Sequence, residues 1–183
     1  MMKIGYKVEG KTDVGFLQGL KKRWCPHAEL VEERSRFTGL KKAEIRKLCV
    51  SLDTKGCDYW VFLNDADTND EAEWRRQLTE FRNAIPDEYR HRVIIGLSMR
   101  TIECWLCADA DWIAGKTGRQ PNEFRVRDPK GVLEGTLENL EISDLVKEAP
   151  LRNWYRNSAS FKEFYDNIFA FSRNATCQIE NIR

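Results

Sequence analysis

The residues best suited to chemistry are acids placed where apolar runs stop. Val61-Phe62-Leu63-Asn64 leads into Asp65, Ala66 and Asp67. A shorter copy of the same arrangement lies near the start, where Ile4-Gly5-Tyr6-Lys7-Val8 leads into Glu9 and Gly10. Each apolar run reads as a buried strand, and each acid sits at its tip. With the two strands side by side, Glu9, Asp65 and Asp67 converge at one edge of a sheet. Hard divalent cations such as Mg²⁺ take oxygen ligands of this kind, a few carboxylates completed by water and substrate phosphate. Two acids at i and i+2 leaving a strand reach one cation from adjacent directions, and Gly10 lets backbone or a phosphate come close. Asp-x-Asp alone is common in loops, so its weight comes from the apolar run before it. Glu103, in Ile102-Glu103-Cys104-Trp105, is open to two readings. It brings a fourth carboxylate to the same edge, or it pairs with Arg100 three residues earlier as an ordinary helix ion pair.

The elements that must position these acids alternate along the chain. Lys3–Val8 is a strand, and Thr12 or Asp13 caps the helix that follows, with Val14, Phe16, Leu17 and Leu20 on one face. Lys21-Lys22-Arg23 suits the negative end of that helix. Glu29–Arg36 is a weakly apolar strand nearer a sheet edge. Gly39–Leu52 is helical in pattern, with Leu40, Ala43, Ile45, Leu48 and Leu52 at three- and four-residue steps, and Gly56 breaks it. Tyr59–Leu63 is the most apolar strand and belongs in the sheet centre. Thr68-Asn69-Asp70-Glu71 caps a helix from about Asp70 to Ala84, with Trp74, Leu78 and Phe81 inward, and Pro86 stops it. Arg92–Leu97 supplies a fourth strand and Thr101–Ala114 a further helix.

Helices between successive strands imply parallel pairing through right-handed crossovers. The fold class is therefore α/β: three layers, a mostly parallel sheet with helices on both faces, and ligands bound beyond the carboxyl ends of the strands. Residues 1–114 form this core. Residues 115–183 pack on it as a basic loop and a helical C-terminal region, within one structural domain. The loop, Gly115–Lys130, carries Lys116, Arg119, Arg125, Arg127 and Lys130 against Glu123 and Asp128. Helices are expected over Gly131–Glu141, Leu145–Ala149 and Ser160–Phe171, the last with an aromatic face of Phe161, Phe164, Tyr165 and Phe169.

The bulk properties bound the function classes. A chain of 183 residues with 42% hydrophobic residues is long enough for one real core. Lys and Arg number 30 against 29 Asp and Glu, so any nucleic-acid surface has to be local. No apolar run is long enough to span a bilayer, and the first residues lack the pattern of a signal peptide, which makes the cytoplasm the default compartment. In that compartment the six cysteines are expected to be reduced and partly buried. Cys104 and Cys107 have redox-motif spacing, but mid-helix and with only His27 and His91 in the chain they read as core residues one turn apart. Cys25-Pro26-His27 reads as plain loop. Trp154 and Tyr155, flanked by Arg152 and Arg156, offer a base-stacking pair, although local packing is the stronger reading.

Val8-Glu9-Gly10-Lys11-Thr12-Asp13-Val14-Gly15-Phe16-Leu17, together with Phe62-Leu63-Asn64-Asp65-Ala66-Asp67, resembles a Toprim domain. That fold is shared by topoisomerases, bacterial primases and the overcoming-lysogenization-defect class of nucleases. Arg100–Asp109, Asp128–Leu133 and Ser158–Phe164 extend the similarity to small stand-alone Toprim-like proteins of domain-of-unknown-function family 4276. The resemblance covers most of the chain. It implies Glu9 as the Toprim glutamate, acting as general acid/base or metal ligand, and Asp65 and Asp67 as the metal-binding aspartates. Asn69 stands where many Toprim loops hold a third acid, and Asp70 is one residue out of register, so the pattern for a second metal is broken.

Together these residues imply Mg²⁺- or Mn²⁺-dependent phosphodiester chemistry on DNA or RNA, as a nuclease or related phosphotransferase. The catalytic set would be Glu9, Lys11 and Arg100. The metal ligands would be Glu9, Asp65, Asp67 and Glu103. Lys116, Arg119, Arg125, Arg127 and Lys130 would hold the nucleic-acid backbone, with steep salt dependence. The related proteins often accompany ATPases, which implies a partner ATPase and a defence role. Two alternatives stay open: a non-catalytic module that binds nucleic acid or nucleotide, and hydrolysis of a small nucleotide.

Overall fold

The computed structural model describes residues 1–34, 42–126, 128–137, 140–172, 177 and 179–182. Four strands, β1 (Lys3–Lys7), β2 (Glu29–Glu32), β3 (Tyr59–Asp65) and β4 (Val93–Ser98), form one sheet in the order β2-β1-β3-β4. All three pairings are parallel. The weakly apolar β2 takes an edge and β3, apolar as far as Leu63, lies inside, as their composition requires.

Period-two alternation sorts the strand side chains into two cores. Ile4, Tyr6, Val61, Leu63 and Ile94 face one helical layer. Trp60, Phe62, Ile95 and Leu97 face the other. Helix α1 (Lys11–Trp24) lies on the first face, through Phe16, Leu17, Leu20 and Trp24. Helices α2 (Lys42–Thr54) and α3 (Glu71–Ala84) lie on the second, through Ile45, Leu48, Leu52, Trp74, Leu78 and Phe81. Asp70 caps α3 by accepting from the amides of Ala72 and Glu73. The chain thus winds from β1 outward to β2, crosses back over β1 to β3, and continues to β4. Right-handed crossovers force the change of face that accompanies this change of direction.

Several local expectations need correction. Gly10, not Thr12 or Asp13, is the cap residue of α1. A single helix over Thr101–Ala114 is replaced by α4 (Glu103–Leu106) and α5 (Ala110–Thr117), because the Asp109 carboxylate accepts from the Trp112 amide and starts a new helix. The expected loop Gly115–Lys130 contains the end of α5 and a short helix α6 (Pro121–Phe124). Helices α7 (Lys130–Leu137), α8 (Ile142–Glu148), α9 (Leu151–Asn157) and α10 (Ala159–Ser172) complete the C-terminal region; α9 had no counterpart in the sequence reading. Leu40, Arg36 and Arg127 lie outside the described residues, as do residues 138 and 139 of the expected Gly131–Glu141 helix.

The C-terminal region shares the first core. Trp154 is fully buried and meets Phe16, Trp112 and Phe161, so it packs as core and has no surface for base stacking. Phe164 stacks on Trp105. Helix α8 lies against α1 at Gly19, where any Cβ would stand 2.4 Å from the Ser143 carbonyl oxygen. Cys25 and Cys177 are joined as a disulfide, contrary to the expectation of six reduced cysteines. Cys49, Cys57, Cys104 and Cys107 are free. No helix among the described residues is long and apolar enough to cross a membrane.

Candidate functional site

The strand order reverses between β1 and β3, and it is at the carboxyl ends of the strands beside such a reversal that open α/β sheets form the crevice that binds ligands. Glu9 lies two residues beyond the end of β1, and Asp65 is the last residue of β3. Parallel register sets Asp65 opposite Ser98, the last residue of β4. The buried Ser98 hydroxyl donates to Asp65 Oδ1 at 2.7 Å. One residue earlier, Asn64, 9% exposed, donates from Nδ2 to Glu9 Oε1 at 2.8 Å. Each acid is thus aimed by a polar neighbour on the adjoining strand. Among the described residues, no hydrogen bond engages Asp65 Oδ2 or Glu9 Oε2.

Asp13 joins them unexpectedly. As the third residue of α1 it turns back, and its Oδ2 accepts from the backbone amides of Glu9 at 3.1 Å and Gly10 at 2.7 Å. The carboxylate therefore closes the turn that carries Glu9, while being only 6% exposed. Glu103, at the first position of α4, is 7% exposed.

Asp65 and Asp13 both feel the charges of Glu9 and Glu103. Burial, opposed by the Ser98 hydrogen bond and reinforced by the charges of Asp13, Glu9 and Glu103, pushes the Asp65 carboxyl up to about 7. Burial, followed by the charges of Glu103 and Glu9 and opposed by the Gly10 and Glu9 amides, pushes Asp13 up to about 6. Like charges in a desolvated crevice resist ionisation together. The result is an oxygen-rich cluster at the carboxyl end of the sheet, in which Asp65 and Asp13 hold their protons more tightly than free carboxyls do.

Of the residues singled out in the sequence, Glu9, Asp65 and Glu103 come together at this crevice. Glu103 does not take Arg100 as its partner; Arg100 Nη2 donates instead to Asp128 Oδ2 at 3.0 Å. Asp67 differs from these acids in its surroundings. It is exposed, in the left-handed backbone region with φ 50°, and its amide donates to the Arg100 carbonyl. Among the described residues, no three His, Cys, Asp or Glu side chains close into a ready-made metal ligand set. The donor chemistry nevertheless fits a hard cation: carboxylate oxygens, buried and mutually repelling, are what a divalent ion would relieve. Asp70 is committed to capping α3.

The basic residues are placed less simply. Lys11 is exposed in the first turn of α1. Lys116 pairs with Glu148 at 2.6 Å, Arg119 with Glu123 at 3.0 Å and Arg125 with Asp111 at 3.2 Å. Lys130 is exposed, and its amide donates to Asp128. The loop charges are thus largely neutralised by acids, two of which lie outside the loop.

Three site residues escaped the sequence reading: Asp13, Asn64 and Ser98. Asp13 carried a usable signal, since it lies four residues after Glu9 across a helix start. Ser98 had none, because only the register of β3 on β4 sets it opposite Asp65. Compared with protein-family models, curated proteins and solved structures, the chain matches none of them.

Proposed function

We propose that this protein carries out Mg²⁺- or Mn²⁺-dependent phosphodiester chemistry on nucleic acid, as a nuclease or related phosphotransferase. The observation that carries this reading is the gathering of Glu9, Asp13, Asp65 and Glu103 at the point where the strand order reverses. The resemblance of the Glu9 and Asp65-Ala66-Asp67 stretches to Toprim domains supports the same chemistry.

In this reading Asp65 and Glu9, oriented by Ser98 and Asn64, would hold the cation, with Asp67 and Glu103 as further donors. A bound Mg²⁺ would neutralise a phosphate oxygen and lower the pKa of a water molecule. Asp65, its proton affinity raised by burial, would have to release that proton to solvent to serve as a ligand. Asn64 orients Glu9 to accept a proton from the nucleophile. Asp13 holds the Glu9–Gly10 backbone in place. Arg100, with Lys11, stabilises charge on the phosphate once released from Asp128. Lys116, Arg119 and Arg125 exchange their acidic partners for the nucleic-acid backbone, and Arg127 and Lys130 add to the same basic stretch. The cytoplasm is the compartment that fits this role, with an ATPase as partner in a defence system.

That no three His, Cys, Asp or Glu side chains among the described residues close into a metal ligand set favours a second reading, a module that binds nucleic acid or nucleotide without cleaving it. One experiment separates the two. Supercoiled DNA, single-stranded DNA and structured RNA are incubated with Mg²⁺ or Mn²⁺, using Asp65→Ala as control. Cleavage that the variant abolishes supports the metal-dependent enzyme. Inert parent protein that still shifts the same nucleic acids supports the binding module.

A further inference from the structure

At the opposite end of β1 from the carboxylates, three sulfur atoms meet. Met2 precedes the strand, Cys25 follows α1, and Cys177 comes from the chain's last residues. Met2 Sδ stands 3.8 Å from Cys25 Sγ and 3.4 Å from Cys177 Sγ. Cys25 and Cys177 are both buried, and all three line a pocket of about 450 Å³ with Arg23 and His27. The location is fixed by the fold: the Glu29 amide donates to the Met2 carbonyl, and the Tyr165 hydroxyl donates to the Glu180 carbonyl.

We propose that the reduced form of this cluster is a binding site for a monovalent thiophilic cation, Cu(I). An ion held about 2.3 Å from each of three sulfurs in a plane sets sulfur–sulfur edges of about 4 Å. Two of the three edges, those from Met2, already have nearly that length. The third is the disulfide, which opens on reduction. Thiolates and a thioether form a soft ligand set that selects Cu(I) over the hard cations suited to the carboxylate crevice. Zn²⁺ takes four nitrogen or sulfur ligands in structural sites and has no use for a thioether. Two thiolates around Cu(I) carry one net negative charge, and Arg23, whose guanidinium pairs with Glu180 at 3.0 Å, lines the same pocket.

The steps balance. A dithiol reductant delivers two electrons and two protons to the Cys25–Cys177 bond, giving two thiols and the cyclic disulfide of the reductant. Cu(I) then replaces both thiol protons, so binding releases two protons and weakens as pH falls. The site is independent of the proposed phosphodiester chemistry: its ligands lie at the far end of the strand, and its metal belongs to a different class.

The test is a competition titration. The protein is reduced anaerobically with a phosphine, freed of reductant, and given Cu(I) as its bicinchoninate complex. The expected result is withdrawal of one equivalent of Cu(I) by the parent. Cys25→Ser and Cys177→Ser should abolish withdrawal, and Met2→Leu, which keeps both thiols and the fold, should weaken it about tenfold. A Cys104→Ser/Cys107→Ser variant should bind like the parent, and disulfide-bonded protein should not bind. Fully reduced, folded parent that leaves the chelator complex intact overturns the proposal. So does unchanged affinity in Met2→Leu, or loss of binding only in the Cys104/Cys107 variant.

Discussion

Replacing Asp65 by Asn should make the protein more stable, and only above acidic pH. The Asn side-chain oxygen can still accept from the Ser98 hydroxyl, so the substitution removes a charge while leaving the hydrogen bond that orients the group. A carboxyl lifted from 3.8 to about 7 disfavours ionisation by about 4 kcal/mol at full weight. Partial exposure of Asp65 and its coupling to Asp13 reduce this to about 2 kcal/mol. Between about pH 4 and 7 the folded protein holds this proton more tightly than the unfolded chain, so stability falls as pH rises through that window. Below it both states are protonated and the difference disappears. The variant should therefore match the parent near pH 4 and exceed it by about 2 kcal/mol at pH 8, or about 4–8 °C in Tm for a chain of this size.

Urea denaturation at pH 4, 6 and 8 reads the effect directly, since the midpoint moves while the slope does not. The same samples with Mg²⁺ complete the test. A cation held by Asp65 stabilises the parent by mass action and should do little for the Asn variant. A stability difference that is flat from pH 4 to 8 would refute the reasoning, because Asp65 would then be ionised throughout. A variant less stable than the parent at pH 8 would do the same.

Other consequences follow from the same geometry. Asp13→Asn keeps an oxygen for the Glu9 and Gly10 amides while removing a neighbouring charge, so the Asp65 pKa should fall below about 7, as read by carboxyl NMR titration. Gly19→Ala should destabilise by about 1–3 kcal/mol, because the new methyl would meet the Ser143 carbonyl of α8, and a shifted urea midpoint would show it. Trp154→Ala should cost about 3–5 kcal/mol through lost aromatic packing, without changing the Asp65 titration. Asp128→Asn, which frees Arg100 from its carboxylate partner, should tighten binding of an oligonucleotide in a low-salt anisotropy assay.

How far the fold was legible depended on whether its determinants were local. β3 and β4 are apolar enough to be read directly, and their helices repeat every three to four residues, so the parallel sheet followed. The break between α4 and α5 was missed although Asp109 is a good cap, because the apolar pattern runs through it. Glu9 and Asp65 were legible as acids ending apolar runs. Asp13 was read as a cap because an acid at a helix start looks the same whether it faces the helix amides or turns inward. Ion pairs such as Lys116–Glu148 and the Cys25–Cys177 bond join residues too far apart in sequence for any window to connect.

The acid cluster is hard to explain as a structural feature alone. Asp65 needs only an acceptor for the Ser98 hydroxyl, and Asn supplies one without a charge. Asp13 needs only an acceptor for two amides, and Asn supplies that too. Keeping both as carboxyls beside Glu9 and the buried Glu103 should lower stability at neutral pH, with Arg100 committed to Asp128. Groups whose proton affinity is lifted by burial and like charge cluster where chemistry is done. A cation at the crevice would turn the mutual repulsion of these carboxylates into ligand field and draw off their protons. The stability sacrificed in its absence is what the Asn substitutions should return.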